Sequence, residues 1–153
     1  MLLICTISAG ACGPDMYTRQ GIEVYLEDGA KIDIYELSAA VDIYTRMLTE
    51  REDQIEWFEL DDMYSKLTLN IHKGTFGCGS VSEAGGCYTP EFLMGLQQPV
   101  NDCIASTPLV HEFNHMVKSY LYGDLSHDDF DYFGPAPSLE RLITEQIIKE
   151  RCL

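Results

Sequence analysis

Two stretches of this chain alternate between apolar and polar residues with a period of two. Ile22, Val24 and Leu26 interleave with Glu23, Tyr25 and Glu27, and Leu67, Leu69 and Ile71 interleave with Thr68, Asn70 and His72, which predicts two half-buried strands. Asp28-Gly29 after the first stretch is a hairpin signal, so Ile32 and Ile34 are expected to return as its partner; a helix starting near Ile32 is the competing reading. Elsewhere the apolar period lengthens to that of a helix. Ser38 is read as the cap of a backing helix that carries Ala40, Val41, Tyr44, Met47 and Leu48 on one side. Leu109, Val110, Phe113, Met116, Val117, Tyr120 and Leu121 mark a second helix, between a Thr107-Pro108 start and a Gly123 stop. A last helix follows Ser138, with Leu139, Leu142, Ile143, Ile147 and Ile148 at helical spacing. Trp57, Phe58 and Leu60 read as core or strand, with an exposed substrate platform as the alternative, and residues 74–90, with five glycines and two cysteines, as a long surface loop forming one wall of a cleft. Val100 to Ile104 reads as a short extended segment that delivers the second helix from the sheet.

These elements make an α+β fold, a small twisted sheet packed against a backing helix and the helix of residues 109–122. At 153 residues and 46% hydrophobic composition the chain has one ordinary core, expected over residues 22–153, with no linker to a second. Ten basic against twenty-five acidic residues give a net charge of −15, which repels phosphate backbones and excludes nucleic-acid binding as a function class. Residues 1–11 are apolar and end in small residues before Cys12, as an export signal does. Ala9-Gly10-Ala11-Cys12 resembles a bacterial lipobox, without its usual Leu or a basic leading region; the resemblance implies lipidation of Cys12, a tether over residues 12–21, and membrane contact through that anchor alone. Export places the chain in a bacterial envelope or outside the cell. Setting Cys12 aside leaves four cysteines downstream of the signal, and the favoured pairing is Cys78–Cys87 with Cys103–Cys152.

The candidate chemistry lies on the middle helix. His111, Glu112 and His115 form an H-E-x-x-H pattern, in which two imidazoles one turn apart share a face and can bind one tetrahedral cation. His127 is the candidate third ligand: the helix climbs about 10 Å from His115, and five further residues reach back up to ~16 Å. Asp124, Asp128 or Asp129 could serve instead, or orient a ligand. His72, with no second donor beside it, reads as a surface residue.

The motif resembles that of the zincin metallopeptidases, over about twenty-five residues. The metzincin branch places its third His six positions after the second, whereas here Gly123 and His127 follow His115 by eight and twelve; the gluzincin branch uses a Glu on a later helix, which nothing in the sequence marks. The resemblance implies a zinc-dependent hydrolase that cleaves peptide bonds, with one Zn²⁺ on His111, His115 and His127 and with Glu112 as general base. Tyr132 is read either as a ring packed on the core or as a phenol that hydrogen-bonds the oxyanion. A monomer acting on a peptide or protein substrate is expected, and the alternative is an envelope lipoprotein that binds zinc or a partner without catalysis.

Overall fold

The computed structural model describes residues 13–135 and 137–153; the export-signal and Cys12 lipidation expectations fall on residues outside these. The architecture is α+β. A mixed five-stranded sheet has the order β1 (Met16–Tyr17), β2 (Glu23–Leu26), β3 (Thr68–His72), β7 (Leu93–Gln97), β6 (Gly86–Thr89), and a separate hairpin is made of β4 (Phe76–Cys78) and β5 (Val81–Ala84). β2, β3 and β7 run parallel, and β1 and β6 lie antiparallel on the two edges. Val24, Leu69, Ile71, Met94 and Leu96 are at most 1% exposed, and they belong to the same core as helices α1 (Ile34–Arg51), α2 (Trp57–Lys66), α3 (Leu109–Tyr122) and α5 (Leu139–Ile147). Phe113 of α3 lies at the centre, its ring 5.1 Å from that of Tyr44 and 5.6 Å from that of Tyr64.

The hairpin expected at Asp28-Gly29 does not form. Both residues take the positive φ of a tight turn, yet the chain runs on into α1, because β2 already pairs with β1 on one side and with β3 on the other. Asp33 caps α1 by accepting from the Tyr35 and Glu36 amides. Ser38, expected as the cap, lies one turn inside: its hydroxyl donates to the Ile34 carbonyl and accepts from the Arg19 amide, while Gln20 donates to the Ser38 carbonyl. Those bonds and β1 join residues 13–21, read as a tether, to the fold.

Trp57 and Phe58 open α2 and are 61% and 56% exposed, so neither is core; Leu60, Met63 and Tyr64 form its buried side. Residues 74–90 are not a structureless loop but the β4–β5 hairpin and edge strand β6, tied together by Cys78–Cys87. The second expected bridge, Cys103–Cys152, is also formed. It closes 49 residues, which on the chain-entropy account is worth about 4 kcal/mol. It fastens the turn at Ile104–Ser106, which leads into α3, to the C-terminal end of the chain. No helix among the described residues is long and apolar enough to cross a membrane.

Candidate metal centre

Helix α3 starts one residue later than the sequence predicts: Pro108, expected at the first helical position, is itself the cap residue before Leu109, while Thr107 accepts from the Leu109 amide at 3.4 Å and Gly123 ends the helix in the left-handed conformation at φ 62°. Leu109, Val110, Phe113, Met116 and Val117 face the core, each at most 4% exposed. That orientation carries His111, Glu112 and His115 along one side of the buried stripe. Buried Asn114 fixes the helix rotation: its side chain accepts from the Tyr44 hydroxyl at 2.9 Å and donates to the Tyr132 carbonyl at 3.3 Å.

The return loop delivers His127 to the same place. The three Nε2 atoms lie 3.0 Å (His115–His127), 3.0 Å (His111–His127) and 3.2 Å (His111–His115) apart. Tetrahedral zinc with bonds of about 2.0–2.1 Å holds its nitrogens about 3.3 Å apart, so the triangle is close to the one a cation needs. His111 passes its other ring nitrogen to Glu140 of α5, with Nδ1 3.2 and 3.3 Å from the two carboxylate oxygens. The carboxylate therefore holds the proton on Nδ1 and leaves the His111 Nε2 lone pair pointing into the triangle. Three ring nitrogens so placed cannot all be satisfied by hydrogen bonds to one another, whereas one cation would satisfy all three. His111, His115 and His127 could hold one metal ion, and among the described residues no other group of three His, Cys, Asp or Glu side chains comes close enough to do so.

The aspartates considered as alternative ligands do other work. Lys118, three residues past His115 and 1% exposed, extends into the loop: its ammonium lies 2.9 Å from Asp124, 3.4 Å from the Ser126 carbonyl and 3.7 Å from Asp129. Asp124 also accepts from the Ser126 amide at 2.8 Å, and these bonds hold its carboxyl down at about 2. Asp129 caps the one-turn helix α4 (Phe130–Phe133) by accepting from the Asp131 amide. Asp128 is not part of the cluster. A single buried cation thus organises the loop that carries His127.

Tyr132 follows the first of its two readings, a ring packed on the core at 5% exposure, and not the oxyanion one. Its hydroxyl donates to Glu52 at 2.9 Å, in a cavity walled by Arg51, Tyr122 and Leu139 rather than by the imidazoles, and burial with the nearby Glu52 charge raises its pKa. The neighbouring Phe133 takes the expected place, with its ring centroid 5.1, 4.7 and 5.2 Å from those of His111, His115 and His127. His72 stacks on Phe76 at 3.9 Å and is not part of the cluster.

Glu112 is 5% exposed. Burial, opposed by His111 and reinforced by Glu140, pushes its carboxyl up to about 7. It fits there because Gly86 of β6 has no side chain: a Cβ at that position would stand 2.3 Å from Glu112 Oε1 and 2.6 Å from Pro108 Cγ. Burial, with the charges of His111, His127 and Lys118 behind it, pulls His115 down to about 4, which keeps that ring neutral and able to ligate at pH 7. The hydrogen bond to Glu140 raises His111. A cavity of about 250 Å³ opens onto the three imidazoles and Glu112, its other wall made by the β4–β5 hairpin, β6 and Leu125.

Sequence reasoning missed Glu140, Lys118, Phe133 and Gly86. Lys118 left one signal, a charge three residues from His115 on the buried side of an amphipathic helix. Comparison with protein-family models, with curated proteins and with solved structures returns no match to this chain.

Proposed function

We propose that this chain is a zinc-dependent hydrolase acting on peptide bonds, resembling the zincin metallopeptidases in its H-E-x-x-H helix and differing from them in the longer return to His127. One observation carries the reading: Glu112, a buried carboxyl beside His111, opens into the same cavity as three imidazoles that converge through Nε2. Three histidines and one free position are the donor set of many catalytic zinc sites, and a cation held there acidifies water and polarises a carbonyl. Glu112, buried beside His111 and opening into the cavity of the imidazoles, is able to take a proton from water and return it to a leaving amine. Glu140 orients His111, and Phe133 covers the imidazoles on one side. A module that only bound metal would gain nothing from burying a carboxyl beside its ligands.

The test is Glu112→Gln assayed against a peptide library with and without chelator. The variant keeps its metal and loses turnover, and the parent loses turnover in chelator; activity of the variant near that of the parent rejects the role. The two disulfides support an oxidising, exported location for this monomer, and the mass of the mature N-terminus decides whether Cys12 is lipidated.

A further inference from the structure

Every residue of the β4–β5 strands is exposed or half-buried, and among the described residues the hydrophobic core takes none from 74 to 86. The hairpin shares no ladder with the five-stranded sheet. A two-stranded hairpin alone is marginally stable in water, so its place depends on what fastens it. Two attachments lie side by side. Phe76 stacks on His72 with ring centroids 3.9 Å apart, over Gly95, where a Cβ would stand 2.7 Å from the Phe76 ring. The Cys78–Cys87 bridge joins β4 to β6 at Cys87, the partner of Gly95 across the β6–β7 ladder. Held there, the hairpin places Val81 and Ala84 in the wall of the cavity that opens onto His111, Glu112, His115 and His127.

The second bridge is placed differently. Cys103 precedes Ile104, which is 2% exposed, and Cys152 ends the helical turn Ile148–Cys152 that continues α5, whose Ile143 and Ile147 are at most 1% exposed. Packing keeps these two cysteines near each other whether or not they are bonded. Cutting the first bridge leaves a single aromatic stack to hold an element with no core of its own.

We infer that Cys78–Cys87 is a redox latch on the metal cavity, opened by a dithiol reductant, while Cys103–Cys152 is structural. One thiolate of the dithiol attacks a sulfur of the bridge and gives a mixed disulfide, and its second thiol then displaces the protein cysteine. Two electrons and two protons pass to Cys78 and Cys87, and the dithiol leaves as its own disulfide. β6 stays in its ladder with β7, so Gly86 still seats Glu112. The hairpin swings away and takes one wall of the cavity with it. Its release is independent of the chemistry at the cation; the effect on turnover rests on the hydrolase reading above.

The test equilibrates the full-length protein, with zinc present, in mixtures of reduced and oxidised dithiothreitol. Alkylation and mass spectrometry identify the opened bridge, and hydrogen exchange follows the hairpin. Cys78 and Cys87 open at a reduced-to-oxidised ratio at least about tenfold lower than Cys103 and Cys152, because the freed hairpin dilutes its thiol relative to its partner. The amides of residues 76–84 then exchange at least about tenfold faster, and those of α3 do not change. Cys78→Ser combined with Cys87→Ser shows the fast exchange without reductant; if that variant does not fold, the series on the parent decides alone. Cys103–Cys152 opening first or at the same ratio, or hairpin amides as protected after reduction as before, overturns the latch. Turnover of a peptide library falls at least about tenfold on reduction. Full turnover with the hairpin released overturns control of the site and leaves the hydrolase reading standing. Absence of turnover in both states is a failure of the hydrolase reading, and the order of opening and the exchange rates still decide the latch.

Discussion

Replacing Glu112 by Gln changes stability in a way that depends on pH, and the sign follows from burial. The carboxyl titrates at about 7 in the fold against 4.5 in its ordinary state, because burial disfavours the charge more than His111 restores it. Between those values the folded protein holds a proton that the unfolded chain releases. The resulting stabilisation is complete below pH 4.5 and is lost as the pH rises through about 7, after which the parent carries a buried charge. At about 1.4 kcal/mol per pH unit, the gap amounts to on the order of 3 kcal/mol. Glutamine carries no charge to bury. In chelator, so that no cation shares the site, Glu112→Gln and the parent should unfold with similar free energies at pH 4.5, and the variant should be the more stable by that amount at pH 8. For a domain of this size the shift is roughly 6–12 °C in Tm. His115, lowered to about 4, gives the opposite slope but is common to both proteins and cancels in the difference. Urea unfolding at pH 4.5, 6 and 8 decides the matter. A difference that stays constant with pH means that Glu112 is solvated, and the proton-holding role assigned to it is lost.

Removing the buried ammonium with Lys118→Met, or the carboxylate with Glu140→Gln, should weaken zinc binding about 10- to 100-fold, read by competition with a chromophoric chelator; unchanged affinity in both rejects their orienting roles. Gly86→Ala forces Glu112 from its place, since the new Cβ would stand 2.3 Å from Oε1. Turnover should fall about 100-fold with zinc content unchanged, and a fully active variant would place the working position of Glu112 elsewhere.

The parts of the site read correctly from sequence are those whose signal is local. His111 and His115 announce themselves by spacing on a helix whose start and stop are written in Thr107-Pro108 and Gly123, and His127 lies within the reach of the loop after them. Glu140 is 29 positions from His111, and only the packing of α5 against α3 brings the two together; the apolar pattern after Ser138 shows a helix without naming its neighbour. Parallel pairing is as invisible as that contact, so the turn at Asp28-Gly29 read as a hairpin while β2 found β3 more than forty residues away. The β4–β5 hairpin read as loop because its residues are half-exposed or exposed and carry no apolar alternation. Tyr132 sat at the right distance along the chain, but the single turn capped by Asp129 sends its hydroxyl to Glu52 and turns Phe133 toward the imidazoles. Ser38 is a good capping residue in isolation, yet Asp33 lies five residues earlier, where the turn leaves β2.

X-ray absorption at the zinc edge, on the full-length protein loaded with one equivalent and on His127→Ala prepared the same way, tests the three-imidazole site most directly. The parent should bind the full equivalent with three imidazole nitrogens at about 2.0 Å and one lighter oxygen donor, and the variant should show two imidazoles. A parent that retains no zinc, or a variant whose spectrum matches the parent's, would contradict the convergence of His111, His115 and His127 on one cation.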